Sequence, residues 1–170
     1  MSDLESIVLR PPALIDGMAV FRLIESCPPL DVNSSYCNFL QCSHFANTSV
    51  AADACGDIVG FISGYIVPER PDTLFIWQVA VADQARGLGL ASRMLAHIIA
   101  RPQCSAVGYV ETTITQDNQA SWALFKGLAK KLSADFQSSE WLDKETHFSG
   151  QHDSEALVRI GPLTHMANQE

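Results

Sequence analysis

Thr73 to Val81 reads TLFIWQVAV, an almost unbroken apolar run rich in residues that suit extended chain. Such a strand is expected at the centre of a sheet, covered on both faces. Ala82 to Gly89 follows as a loop containing Gly87 and Gly89. From there the spacing turns helical, with Ala91, Met94, Leu95, Ile98 and Ile99 on one face and a stop before Pro102. A buried strand that feeds a glycine turn and an amphipathic helix commits the chain to a fold mixing sheet with helix.

The flanking sequence fills in the order. Ile7 to Leu9 predicts a short strand closed by Pro11-Pro12. Residues 12–26 read as a helix with Leu14, Met18, Phe21 and Ile24 as its buried stripe, ended by Pro28-Pro29. Leu30 to Ser35 is a polar loop, and Tyr36 to Phe45 suits a second helix. Thr48 to Asp53 and Asp57 to Val67 flank Ala54-Cys55-Gly56 as a hairpin, and Pro68 to Asp72 reads as another loop. Val107 to Thr115 is a β-branched strand. Asp117 to Leu132 is a helix whose stripe is Ala120, Leu124, Phe125 and Leu128. Phe136 to Trp141 and Ala156 to Ile160 close the chain as strands around a polar, mobile Lys144 to Asp153 loop. The order β-α-α-β-β-β-α-β-α-β-β predicts an α/β (α+β) fold with a mixed sheet. No linker, repeat or low-complexity tract divides it, so one domain is expected.

Composition removes several function classes. Hydrophobic residues make up 47% of the 170 positions and charged residues 18%, which excludes a disordered chain. The longest apolar helix candidate, Leu88 to Ala100, is interrupted by Arg93 and His97, so no membrane span is expected. The net charge is −8, and no basic cluster is denser than Lys130-Lys131, which argues against nucleic acid; the negative field would draw in cationic small molecules, although a solvated acidic surface accounts for most of the charge. The cysteines, Cys27, Cys37, Cys42, Cys55 and Cys104, are odd in number, and the acidic start carries no leader. Reduced thiols in the cytoplasm are the expectation. Cys37 and His44 would share a helix face, but Cys42 would lie about 140° away, so no metal is expected there.

The chemistry concentrates in Gln84 to Ala91. Glycines at a strand–helix turn aim backbone N–H groups in one direction, and with the helix dipole they make an anion site for phosphate or pyrophosphate. A Walker A loop would need Gly-Lys-Ser/Thr here, and a dinucleotide fingerprint a third glycine where Ser92 stands. Arg86-x-x-Gly89-x-Ala91, preceded by Trp77 to Val81, instead resembles the acetyl-CoA loop of the GNAT N-acetyltransferases. Asn118, Ala120, Leu124 and Phe125 resemble that family's second cofactor motif. The segments 28–36, 71–81 and 111–118 are similar to the branch that acetylates L-2,4-diaminobutyrate in ectoine biosynthesis.

That resemblance spans about residues 5–162 as one N-acetyltransferase domain, with 1–4 and 163–170 as tails. It implies a mixed, mostly antiparallel sheet flanked by helices, acetyl-CoA as co-substrate, no metal, and a homodimer. Val79, Ala80 and Val81 would pair with the pantetheine arm. Arg86, Gly87, Leu88, Gly89, Leu90 and Ala91 would hold the pyrophosphate, with Asn118 and Phe125 completing the cofactor set. A diamino acid needs carboxylates for its ammonium groups and a donor for its own carboxylate. Asp31, Asn33, Tyr36, Trp77, Glu111 and His152 are the substrate-binding candidates. All but Asn33 have a plainer reading: a helix N-cap for Asp31, core packing for Tyr36 and Trp77, a wetted strand face for Glu111 and surface exposure for His152. Glu111 is also the candidate amine ligand and general base.

One departure stands out. Many relatives carry a tyrosine where Phe125 lies, to protonate the departing thiolate; here Tyr36 or water takes that role, or the thiolate leaves unassisted. The expected reaction is acetylation of the γ-amine of diaminobutyrate by direct attack of the deprotonated amine on the thioester. The alternatives are the same chemistry on another small diamino acid or polyamine, and a non-catalytic acyl-CoA-binding module.

Overall fold

The protein is described by a computed structural model that covers residues 6–164. Of the expected tails, residues 1–4 and 165–170 lie outside the described residues. The strands are β1 (Ile7–Arg10), β2 (Val50–Ala54), β3 (Asp57–Val67), β4 (Arg70–Val81), β5 (Tyr109–Thr115), β6 (Phe136–Leu142) and β7 (Glu155–Ile160). The helices are α1 (Gly17–Glu25), α2 (Ser35–Gln41), α3 (Leu90–Ile99) and α4 (Gln119–Lys131). Their order matches the sequence reading. Helices flank a mostly antiparallel sheet, so the α/β (α+β) class holds. Among the described residues no helix is long and apolar enough to cross a membrane.

The chain forms two compact units, each drawing on two stretches of sequence. The first comprises Met1–Tyr65 and Ile76–Ser105. In it β1, β2 and β3 pair antiparallel, with a bulge between Ala52 and Asp53. Val20, Leu23 and Ile24 from α1, Val50, Phe61 and Ile62 from the strands, and Met94, Leu95 and Ile98 from α3 are all buried. Gly60 permits the approach of α3: a Cβ there would lie 3.0 Å from Met94 Cε and 3.1 Å from its sulfur. Arg101, just beyond α3, donates to the Ala46, Asn47 and Ser49 carbonyls and pins the turn before β2.

The expected stripe of α1 is out of phase. Leu14 and Met18 are exposed and Phe21 is half-buried; of the expected stripe only Ile24 is buried, and Gly17, Val20 and Leu23 join it in facing the core. A 3-10 turn over Leu14–Asp16 precedes the helix, so residues before 17 do not continue its 3.6-residue period. Helix α2 ends at Gln41 rather than Phe45, and residues 42–45 form turns.

The second unit comprises Ile66–Phe75 and Ala106–Glu170. It holds the turn between β3 and β4, the first half of β4, and the antiparallel pairs β5·β7 and β6·β7. The expected loop over Pro68 to Asp72 shrinks to Pro68 and Glu69, and Pro71 is accommodated within the exposed start of β4. On α4 the buried stripe is Phe125, Leu128 and Ala129, while Ala120 in its first turn is exposed.

The polar stretch before β7 carries hydrogen bonds of its own. Asp143 accepts from the amides of Glu145 and Thr146 at 3.0 and 2.7 Å. Lys144 donates from its amide to Ser154 Oγ at 2.8 Å, and Gly150 donates to the Lys144 carbonyl at 2.9 Å. An Asx turn and a closing bond supply the backbone partners that a loop otherwise takes from water.

Candidate functional site

In the first unit the site is built on the second half of β4. Ile76, Gln78 and Ala80 are buried, Val79 and Val81 are half-buried, and Trp77 is 41% exposed. One face of the strand is therefore fully covered and the other only partly, opening at Trp77, where the apolar run predicted cover on both. The partly covered face carries a large ring that is not core. Trp77 makes edge-on contacts with Tyr65 at 6.0 Å and Phe45 at 6.4 Å between centroids, forming an apolar wall open to solvent. Tyr65 and Phe45 were not anticipated. They lie in separate sequence segments with no spacing to link them.

Beyond β4 the chain makes the predicted turn. Gly87 and Gly89 have φ of 77° and 69°, a left-handed conformation that a side chain would strain. Nothing lies within 4 Å of a Cβ built at either position, so the backbone is bare toward open space. Gly89 is the N-cap of α3 and supplies no side-chain cap, which leaves the helix's first amides for a ligand. Leu90 and Ala85 are buried and anchor the turn from beneath, while Leu88 is exposed. This geometry fits a pyrophosphate. Arg86 is folded back: Nε donates to the Val81 carbonyl at 3.2 Å and Nη1 lies 3.1 Å from Asp83 Oδ1. Both partners of that ion pair are more than half exposed, so it is weak and exchangeable for a phosphate.

The loop from Leu30 to Ser34 belongs to the same unit. Ser34, not Asp31, caps α2 by accepting from the Cys37 amide at 3.2 Å. The plain explanation of Asp31 as a cap is thereby removed. Asp31 is exposed, and its main-chain oxygen accepts from Gln78 Nε2 at 2.8 Å. Asn33 is half-buried, and Tyr36 is 71% exposed on the first turn of α2, so it is not core packing.

In the second unit Glu111 is 2% exposed. Arg70 grips both its oxygens, at 2.7 and 2.9 Å, and Arg159 Nη1 reaches Oε1 at 2.6 Å. Arg159 also stacks over the Tyr109 ring at 3.7 Å and donates to Thr73 Oγ1 at 3.4 Å. Burial opposes the negative charge, but the two guanidiniums outweigh it and hold the carboxyl below its ordinary range. An acid so stabilised as its anion is a poor proton acceptor, and both oxygens are already engaged. The geometry runs against the general-base role expected for Glu111 and makes it the anchor of an ionic triad. Arg70 and Arg159 escaped the sequence reading. A lone arginine between Val158 and Ile160 was the signal for the second.

Asn118 caps α4, its side-chain oxygen accepting from the Ser121 amide at 3.1 Å. Trp122, one turn on, donates from Nε1 to the Thr115 carbonyl at 3.0 Å and fixes α4 to the end of β5. Phe125 is 2% exposed, a core side chain with no proton to give. His152 packs on Phe148 at 4.6 Å, with Nδ1 2.7 Å from the Asp153 carbonyl, so that nitrogen carries the hydrogen.

Comparisons with known proteins agree on the kind of chain this is. Residues 18–129 match the model of the acetyltransferase (GNAT) family. The L-2,4-diaminobutyric acid acetyltransferase of Methylotuvimicrobium alcaliphilum is 56% identical over 92% of this chain and 91% of its own length. That of Vibrio parahaemolyticus is 55% identical over 90% of this chain and 84% of its own. Among solved structures, diaminobutyrate acetyltransferase EctA from Paenibacillus lautus, in complex with L-2,4-diaminobutyric acid and coenzyme A, superposes with a TM-score of 0.90. It is 38% identical, over 96% of this chain and 99% of that one.

Proposed function

This chain belongs to the GNAT acetyltransferase family, and we propose that it acetylates the γ-amine of L-2,4-diaminobutyrate with acetyl-CoA, a step of ectoine biosynthesis. The observation that carries this reading is the extent of the likeness to diaminobutyrate acetyltransferases, 56% identity across 92% of the chain. An acetyl group passes from the thioester sulfur to nitrogen: an N–C bond forms, a C–S bond breaks, the ammonium loses a proton and CoA departs as thiol.

The residues divide the work. Val79, Ala80 and Val81 offer strand backbone to the pantetheine arm, and an N–H at or beside Val79 polarises the thioester oxygen. Arg86 to Ala91 hold the pyrophosphate on bare amides and one exchangeable guanidinium. Asn118 and Phe125 contribute by fixing the start and the buried face of α4. Asp31, Asn33, Tyr36 and Trp77 receive the amino acid, Asp31 by charge and Trp77 by its exposed ring, and His152 adds a polar edge. Tyr36 donates the proton to the thiolate. Glu111 acts through the arginines it holds, and water takes the amine's proton.

The acidic balance supports cationic substrates over nucleic acid or membrane, and the odd cysteine count supports the cytoplasm. A homodimer is part of the reading. Val8, Leu14, Ile15 and Met18 support it as exposed apolar residues within one short segment.

The test is a comparison of kcat/KM for diaminobutyrate, ornithine and lysine. Diaminobutyrate is expected to lead clearly. Equal values for ornithine would reassign the substrate within the same chemistry.

A further inference from the structure

Gln78 is out of place by composition. It lies on the covered face of β4 between Ile76 and Ala80, each 1% exposed, and is itself only 8% exposed. Half of its amide is satisfied: Nε2 donates to the main-chain oxygen of Asp31 at 2.8 Å. The other half is not, since Oε1 is buried and meets no donor among the described residues. A methionine or leucine here would fill the same space without an orphaned acceptor. What the amide provides and an apolar chain cannot is a grip on the Asp31 carbonyl, 47 residues away in sequence.

That grip has a place in the site. The segment from Asp31 to Ser34 has no regular structure of its own. It is tied at one end by the Leu30 amide on the Cys27 carbonyl at 3.0 Å, and at the other by the Ser34 cap. The Gln78 bond falls between those ties. Trp77 and Val79, the neighbours of Gln78, point to the opposite face of the strand, because side chains alternate. One short piece of β4 thus presents the acceptor wall and the thioester-side backbone on one face. On the other it holds the loop that carries Asp31.

We propose that Gln78 is a positioning residue for the amino-acid substrate: its side-chain amide sets the Asp31 loop relative to β4 and touches no substrate atom. This rests on the reading of the chain as a diaminobutyrate acetyltransferase.

Gln78→Met keeps the stem and removes the donor. Its KM for diaminobutyrate is expected to rise about threefold to tenfold, the scale of one lost hydrogen bond, with kcat and the KM for acetyl-CoA within about twofold of wild type. In the Asp31→Asn background the same change is expected to cost nothing further, since the two residues act as one unit. Gln78→Leu serves as a second variant, and melting temperatures of both are expected to stay at or above wild type. A merely structural residue would lower the melting temperature and move both KM values. An unchanged KM for diaminobutyrate in Gln78→Met, or losses that multiply in the double variant, overturns the proposal. Hydrogen exchange of the amides of residues 30–34 in the substrate-free protein gives a readout independent of the reaction. Faster exchange in Gln78→Met is expected, and an unchanged rate overturns the proposal. Wild-type protein that exchanges as expected but does not acetylate diaminobutyrate would sink the functional reading instead.

Discussion

Glu111 and Arg159 are Cα partners across the β5·β7 ladder, and their side chains meet at 2.6 Å over a carboxylate that Arg70 also holds. Two cations on one buried anion make a strut between the start of β4, β5 and β7, all within the second unit. The same arrangement that argues against Glu111 as a base makes it a stability determinant.

Glu111→Gln leaves both guanidiniums without their counter-charge. A sealed pair broken this way loses about 3–5 kcal/mol. Arg70 and Arg159 are 47% and 31% exposed, and water screens them, so a loss of about 2–3 kcal/mol in urea unfolding is expected.

The pH dependence follows from the sign of the shift. The folded pKa of Glu111 lies below its ordinary value of 4.5, so its contribution is complete above that value and is lost as pH falls through the folded pKa. The stability gap between wild type and Glu111→Gln should stay constant at neutral pH and close below pH 4.5. Because the triad keeps Glu111 ionised throughout the working range, the acid limb of the wild-type kcat/KM profile should sit at the same pH in Glu111→Gln. A limb that vanished in the variant would restore Glu111 as the base.

Gly89→Ala forces a side chain into a φ of 69°. That strain is about 1–2 kcal/mol. If the turn moves to relieve it, the KM for acetyl-CoA should rise about fivefold to thirtyfold while the KM for diaminobutyrate stays within about twofold. Steady-state kinetics with each substrate varied in turn separates the two effects.

Trp77→Ala should affect binding more than stability. A buried aromatic truncated to alanine loses about 3–5 kcal/mol, but Trp77 is 41% exposed, so about 1–2 kcal/mol is expected from thermal unfolding. The KM for diaminobutyrate should rise at least about tenfold if the ring is a wall of the acceptor site.

Thiol labelling tests the burial pattern. Cys55 is exposed and should react first, and the half-buried Cys37, its thiol pushed up by burial, more slowly. Cys27, Cys42 and Cys104 are buried, and burial pushes the Cys42 thiol up to about 12, so these should react only on unfolding.

Element order and the glycine turn were legible because each rests on local signals: a β-branched run, Gly87 and Gly89, the stripe of α3. What escaped depends on contacts between distant segments. The run TLFIWQVAV cannot say that its Trp77 face is open, since only the placement of Phe45 and Tyr65 reveals that wall. Glu111 was visible as a charge in an apolar strand, but its role turned on Arg70 and Arg159, neither of which is near it in sequence. Asp31 is a capping residue by type, but the start of α2 at Ser35 places Ser34 at the cap instead. Nothing local marks Gln78 within its motif, because the Asp31 carbonyl that its amide holds lies 47 residues away.

The central claim is tested most directly by following thiol release from acetyl-CoA with purified protein and L-2,4-diaminobutyrate, and locating the acetylated nitrogen of the product by NMR. Turnover with the acetyl group on the γ-nitrogen is the predicted result. Acetyl-CoA bound without turnover, or an acetyl group on the α-nitrogen, would contradict the account.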